Sequence, residues 1–301
     1  MRNSRHELVF GLGLSSAVAT TAEMLRQADR ADADGLDMVS VSDHPYYADR
    51  LDAYATVGVL LGRTERLAAF ANVTSLPVRP APMLARTITS LSELSEGRVI
   101  LGLGAGGLWD EAARLGVPRL TPGEAVRAFE EAFQVVRALS GGGGTVTFDG
   151  EFYQVKGLDA AAAPTPPIWT GSNGPRSLAV TGRQADGWIP GHAADWLSER
   201  YRWSRPIIDE AAAAAGRDPS DIRTIYNLPG RITDRPLTAT RDAEGRWLGG
   251  SPAQWTEELT GAVLDHGATG FTYFGDQPDA WAREVAPAIR EAVAAAHPTK
   301  N

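Results

Sequence analysis

The chain has no cysteine, which excludes disulfides, thiolate nucleophiles and cysteine-based metal sites. No apolar run approaches the roughly 20 residues that a membrane-spanning helix needs. The opening stretch, MRNSRHELVFGLGL, holds no hydrophobic segment long enough for export. A cytoplasmic protein without a membrane partner is therefore expected. Clusters of lysine and arginine are also missing, and with a formal net charge of −8 no nucleic-acid surface is expected. No two of the five histidines have metal-ligand spacing, so no metal site is expected either. What is present, 43% hydrophobic and 22% charged residues over 301 positions, is the composition of a soluble globular protein with ample core.

Strand-like and helix-like stretches alternate along the whole chain. Apolar strands are expected at 8–14, 36–41, 67–73, 99–101, 167–170, 187–190, 222–228 and 271–274, each followed by a segment with helical spacing of apolar residues. Thr121-Pro122-Gly123-Glu124 reads as a capping box with proline at the first helical position, and Thr20 with Glu23 as a second box. Gly141 to Gly144 is a flexible joint, and 145–155 reads as a hairpin turning at Asp149-Gly150, outside the alternation. Eight strand-helix units with no break in composition predict one domain over 1–301, a single (β/α)8 TIM barrel of the α/β class with a small hairpin insertion.

In such a barrel chemistry gathers at the carboxyl ends of the strands. The stretch RVILGLGAGGLWDE at 98–111 runs from a buried strand into Gly102, Gly104, Gly106 and Gly107, where bare backbone can approach a flat ring or an anion. Gly102, Gly104 and Gly107 also satisfy G-x-G-x-x-G. The acidic residue expected about 20 positions on, at the end of a following strand, is absent, and the turn follows the fourth strand. An NAD(P)-dependent dehydrogenase is therefore the runner-up. Other strand ends supply Asp43 and His44, Asn72 with Thr74, Trp109, His192, Asn227 and Asp276. His44 is the strongest single candidate, since imidazole exchanges a proton near neutral pH and Asp43 is available to orient it. In IWTGSNGPR at 168–176 a strand ends in Gly171, Ser172 and Asn173 cap a helix, and Gly174, Pro175 and Arg176 open it. Free N–H groups, the helix dipole and a guanidinium are expected to converge there on a phosphate.

With these residues in hand, the chain resembles the luciferase-like monooxygenase superfamily, in particular its F420-dependent oxidoreductase branch. VSDHP at 41–45, SLPVRPAP after strand three, GLGAGGLWDEAARLG at 102–116, TPGEAV at 121–126 and PPIWTGSNGPRSLAVTGRQADGW at 166–188 carry the resemblance over nearly the whole chain. It implies a (β/α)8 barrel, a homodimer, with F420 (alternatively FMN) at the carboxyl ends of the strands and a small-molecule substrate. It implies a non-prolyl cis peptide at Asn72-Val73 against the central ring, with Gly104, Ala105, Gly106 and Gly107 lining that ring and Gly171 to Arg176 holding the phosphate. The hairpin would lie near the substrate mouth. The F420-dependent sugar-phosphate dehydrogenases of this branch carry an acidic residue directly after the small-residue turn, where Gly107 stands here; Asp110 and Glu111 come later. Sugar-phosphate oxidation is thereby in doubt, and His44 with Asp43 is left as the proton-transfer candidate, with Trp109 as a wall of the substrate pocket. An FMN-dependent monooxygenase and a non-catalytic flavin-binding barrel are the further alternatives. The connection at 229–250 is read as a lid or a disordered surface loop.

Overall fold

The computed structural model describes residues 6–191 and 195–296. In chain order its elements are β1 (Val9–Leu14), α1 (Thr21–Ala33), β2 (Met38–Val41), α2 (Ala53–Arg63), β3 (Ala68–Ala71), β4 (Thr74–Ser75), α3 (Ala81–Leu94) and β5 (Leu101–Gly104). Next come α4 (Trp109–Ala113), α5 (Pro122–Ala138), β6 (Thr145–Asp149), β7 (Gln154–Asp159), β8 (Ile168–Thr170), α6 (Pro175–Gln184), β9 (Gly187–Trp188) and α7 (Glu199–Ala214). The rest is β10 (Arg223–Leu228), β11 (Arg231–Ile232), β12 (Gly249–Gly250), α8 (Pro252–His266), β13 (Gly270–Tyr273), α9 (Pro278–Ala280) and α10 (Ala286–Ala296).

Nine strand segments form one sheet in the order β3-β2-β1-β13-β10-β9-β8-β5-β4. Segments β3 and β4 are successive parts of one strand, interrupted at a cis peptide between Asn72 and Val73. The two ends of the list are therefore the same strand, and the sheet closes. Ala69 pairs in parallel with Val99 across the seam, its amide donating to the Arg98 carbonyl at 2.9 Å. The product is an eight-stranded parallel barrel wrapped in helices, as the alternation of elements requires.

Alternation along each strand separates two cores. Met38, Phe70, Ile100, Trp169, Ile189 and Ile225 point inward and fill the lumen, while Phe10, Val39, Leu101, Ile168, Tyr226 and Phe271 point outward beneath the helices. Burying each such side chain contributes about 1.5–3 kcal/mol. Small residues make room for large ones: a Cβ on Gly187 would lie 2.5 Å from the Trp169 ring, and one on Gly11 2.5 Å from Met38 Cγ. Toward the carboxyl ends the lumen turns polar. Asn72 Nδ2 donates to Ser40 Oγ at 3.2 Å and to Asn227 Oδ1 at 3.0 Å, roofing the apolar plug and flooring the mouth.

Two insertions depart from their expected form. The hairpin β6–β7 extends to Asp159 and turns through 150–153, a longer connection than a two-residue turn. It leaves from the amino ends of the strands, after α5, and climbs the outer flank of that helix, where Glu131 accepts from the amides of Glu151, Phe152 and Tyr153. It contributes no residue to the mouth cavity described below. The 229–250 connection is ordered: β11 and β12 pair in parallel, and Arg241 bridges antiparallel to Trp247.

Candidate active site

The carboxyl ends of β2, β4, β5 and β8 surround a cavity of about 370 Å³. It is lined by Asp43, His44, Tyr46, Asn72, Val73, Thr74, Ser75, Gly104, Ala105, Gly106, Gly107, Leu108, Gly171, Ser172, Asn173, Gly174 and Ser177. Asp43, His44, Asn72, Val73, the turn from Gly104 to Gly107 and the run from Gly171 to Gly174 thus meet in one hollow, whereas Trp109, Pro175 and Arg176 do not line it.

The glycines are where backbone must come close. A Cβ on Gly104 would stand 2.8 Å from Val73 Cγ2 and one on Gly171 2.9 Å from the same atom, so the Val73 isopropyl group fills the gap between two bare strand ends. Gly106 adopts φ +110°, and a Cβ there would meet Pro77 at 2.7 Å and the Trp109 ring at 2.8 Å. The expectation that Trp109 walls the pocket is corrected: its indole supports the glycine turn from behind. The wall is Leu108, a non-glycine residue at φ 48° that the turn holds half exposed. The G-x-G-x-x-G spacing has no Rossmann geometry, because Gly102 and Gly104 lie within β5 itself.

His44 stands half-buried at the end of β2, and its Nδ1 shares a 2.7 Å hydrogen bond with the Tyr46 hydroxyl. Tyr47 packs edge-on to Tyr46 with ring centroids 5.0 Å apart. Burial pushes the imidazole below its ordinary value; the Asp43 charge opposes this and Arg50 reinforces it. The Tyr46 phenol is pushed up to about 12, chiefly by burial, then by Tyr47, Asp43 and Glu111. At neutral pH both groups are therefore uncharged. The expected pairing of Asp43 with His44 is not what the structure contains. The Asp43 side chain is fully buried and its oxygens accept from Arg79 Nε and Nη2 at 2.8 and 2.7 Å and from the Ser75 amide at 2.9 Å. Arg79 also binds Asp52 at 2.6 Å and lies over the Tyr54 ring. Asp43 therefore ties β2 to β4 and reaches His44 only through its charge.

At the other end of the cavity α6 begins at Gly174 with Pro175 at its first position and no side-chain cap. Helices α2, α5, α7 and α8 are each capped by a side chain, whereas α1, α3 and α4 are not; of the uncapped starts, that of α6 has its N-cap, Gly174, and its first-turn Ser177 in the cavity lining. The first-turn amides of α6 therefore have no side-chain cap, and the helix dipole adds positive potential at this end of the cavity. Ser172 is held from behind, its hydroxyl accepting from Thr181 at 2.9 Å and its carbonyl from Trp188 Nε1 at 2.9 Å. The expectation for Arg176 is corrected in part. Its backbone belongs to this first turn, but its exposed guanidinium lies toward Gly123 at the start of α5. A second arginine, Arg200 of α7, donates to Asn173 Oδ1 at 3.3 Å. Nothing local in the sequence marks Arg200 or Tyr46. His192 lies outside the described residues. Asp276 does not line the cavity; Asn227 touches it through Asn72.

Bare backbone, an uncapped helix start and a half-buried histidine thus meet in one hollow at the carboxyl ends of a parallel (β/α)8 barrel, the place where sites of this fold are built. The family model of the luciferase-like monooxygenases matches residues 8–299, and the chain belongs to that family. It is 31% identical over 233 residues to the F420-dependent glucose-6-phosphate dehydrogenase of Microbacterium testaceum (strain StLB037), covering 73% of this chain and 67% of that protein. It is 32% identical over 198 residues to the 5,10-methylenetetrahydromethanopterin reductase of Methanolobus tindarius, covering 65% of this chain and 57% of the relative. The fold is shared with an F420-dependent secondary alcohol dehydrogenase in complex with an F420-acetone adduct, at TM-score 0.78 and 19% identity over 94% of this chain and 99% of that one. A riboflavin lyase with modified FMN superposes at TM-score 0.80 and 15% identity, covering 95% and 92%.

Proposed function

We propose that this chain is an F420-dependent oxidoreductase that moves a hydride between the deazaflavin and a small organic substrate. The observation that carries the reading is the joining, in one cavity, of the Gly104–Gly107 turn, Val73 and the uncapped start of α6. Bare backbone and an isopropyl face suit a flat ring, and free amides suit a phosphate. Val73, Gly104 to Gly107 and Gly171 would hold the ring. Ser172 to Ser177 would hold the phosphate, with Arg200 and Arg176 adding positive charge nearby. When bound, F420 supplies two-electron hydride chemistry. FMN could use the same cradle; the F420-dependent glucose-6-phosphate dehydrogenase relative weighs toward F420.

The chain's own part is the proton. Tyr46 occupies Nδ1 of His44, so Nε2 is the nitrogen left for substrate. In alcohol oxidation the neutral Nε2 takes the hydroxyl proton as the carbon loses its hydride; in reduction the imidazolium returns it. The imidazolium must donate from Nδ1, and the Tyr46 oxygen accepts. A phenol can donate or accept, so Tyr46 holds the ring in place in both protonation states. Sugar phosphate is disfavoured as the substrate, because glycine stands at 107 and the nearby carboxylates are engaged elsewhere, Asp110 with Arg119 and Glu111 with Arg114, outside the cavity. The reading includes a homodimer acting in the cytoplasm. It is tested by following F420 absorbance anaerobically with a panel of alcohols, and reduced F420 with the matching carbonyls. Oxidation or reduction of F420 by one of these pairs is expected. Turnover only with reduced FMN and oxygen would select the monooxygenase reading instead.

A further inference from the structure

A second cavity, of about 700 Å³, opens beside the first at the carboxyl end of β10, between the start of α7 and the ordered 240–248 hairpin. Its apolar wall is Leu197, Leu228, Pro229, Trp247 and Leu248. Leu197 and Leu248, 44% and 42% exposed, come from facing elements and line the same hollow, so their exposed surface is contiguous there. Its charges are largely satisfied internally. Arg241 is held between Asp195 at 2.6 Å and Glu258 and lies over the Trp196 and Trp247 rings. Arg246 pairs with Asp242 at 2.8 Å and Glu244 at 3.0 Å. Glu199 and Arg202, of opposite sign, stand at the first turn of α7. The two hollows meet at one side-chain pair, since Asn72 lines the first, Asn227 lines the second, and they are hydrogen-bonded at 3.0 Å.

We propose that this second cavity binds the non-reacting part of the substrate, and that this part is an uncharged apolar chain or ring. The inference rests on the oxidoreductase reading above: the first cavity is filled by the cofactor ring, so the body of the substrate needs room elsewhere along the mouth. A wall of leucine, proline and tryptophan, with Arg241 and Arg246 held in ion pairs and Arg202 offset by Glu199 of opposite sign, attracts apolar surface more than it does a phosphate or carboxylate. Each methylene that enters should raise kcat/KM about fourfold, the equivalent of about 0.8 kcal/mol.

The test uses the full chain and N-phenyl-1-naphthylamine, a neutral apolar probe that fluoresces when sheltered from water. Saturable one-to-one binding is expected, displaced by decan-2-one and not by glucose 6-phosphate. Leu248→Asp should weaken the probe at least tenfold with an unchanged melting temperature and an unchanged F420 titration. Leu197→Asp, on the facing wall, gives the same result by a second route if the first variant folds poorly. Probe binding that does not saturate, that survives both substitutions, or that yields to glucose 6-phosphate overturns the proposal. F420 binding without probe binding refutes the apolar cavity alone; probe binding without F420 binding refutes the cofactor reading instead.

Discussion

Replacing Gly174 by aspartate should move stability and cofactor affinity in opposite directions. Gly174 caps α6 in an extended conformation, φ −91° and ψ 156°, that any residue can adopt. A Cβ there has its nearest neighbour, Ser177 Oγ, at 3.8 Å. An aspartate at this N-cap would accept the first-turn amides itself and put a negative charge where the phosphate is proposed. Relative to glycine the cap is worth a few tenths of a kcal/mol, and the carboxylate at the positive end of the dipole adds about 0.3–1 kcal/mol. The ligand-free protein should therefore gain about 0.5–1 kcal/mol in urea unfolding. A phosphate that loses charge-assisted hydrogen bonds forfeits about 1.5–3 kcal/mol, so F420 affinity by fluorescence titration should fall by at least tenfold. General damage would lower both quantities. A more stable variant that binds F420 as tightly as the parent refutes the assignment of the phosphate to α6.

His44→Ala should cut turnover by about 10²–10⁴-fold, the usual worth of a positioned acid-base group, while the F420 dissociation constant stays within about threefold; equal turnover removes His44 from the mechanism. Because burial lowers the His44 pKa, kcat/KM for alcohol oxidation should rise along a limb lying below pH 6.5 and level off above it. In Tyr46→Phe the imidazolium loses its acceptor, so that limb should move further down by about one pH unit, given about 1.4 kcal/mol per unit; superimposable profiles would show that Tyr46 does not hold the ring. Arg241→Met strands Asp195 and Glu258 in a largely buried place and should cost about 3 kcal/mol of stability, read as a lowered urea midpoint. An unchanged midpoint would mean that the 240–248 hairpin is not pinned by these ion pairs.

The barrel was legible because its signal is repeated eight times and needs only periodicity. The strand expected at 222–228 is found at Arg223–Leu228 and the one at 8–14 at Val9–Leu14, and the Thr121-Glu124 capping box forms with both of its bonds. The similar-looking Thr20-Glu23 pair does not, since Thr20 turns back to Ser15 and Ala17 and Glu23 is taken by Arg26 and Arg30. Residues that line the cavity through their backbone were also readable, because a glycine run after a strand constrains what can stand beside it. Side-chain roles were less so. Asp43 sits next to His44 in sequence, yet both lie in the loop after β2, whose course spacing does not record, and the carboxylate goes to Arg79, 36 positions away. The roles of Tyr46, Leu108 and Arg200 depend on how a loop turns or on which helix arrives overhead, and no local pattern records either.

Separate titrations of the protein with F420, FMN and NADPH test most directly whether one hollow holds both ring and phosphate. Saturable one-to-one binding is expected with F420, weakened when the deazaflavin lacks its phosphate and lost first in Gly174→Asp. Binding of NADPH or FMN with no response to F420, or F420 affinity indifferent to the phosphate, would contradict the account.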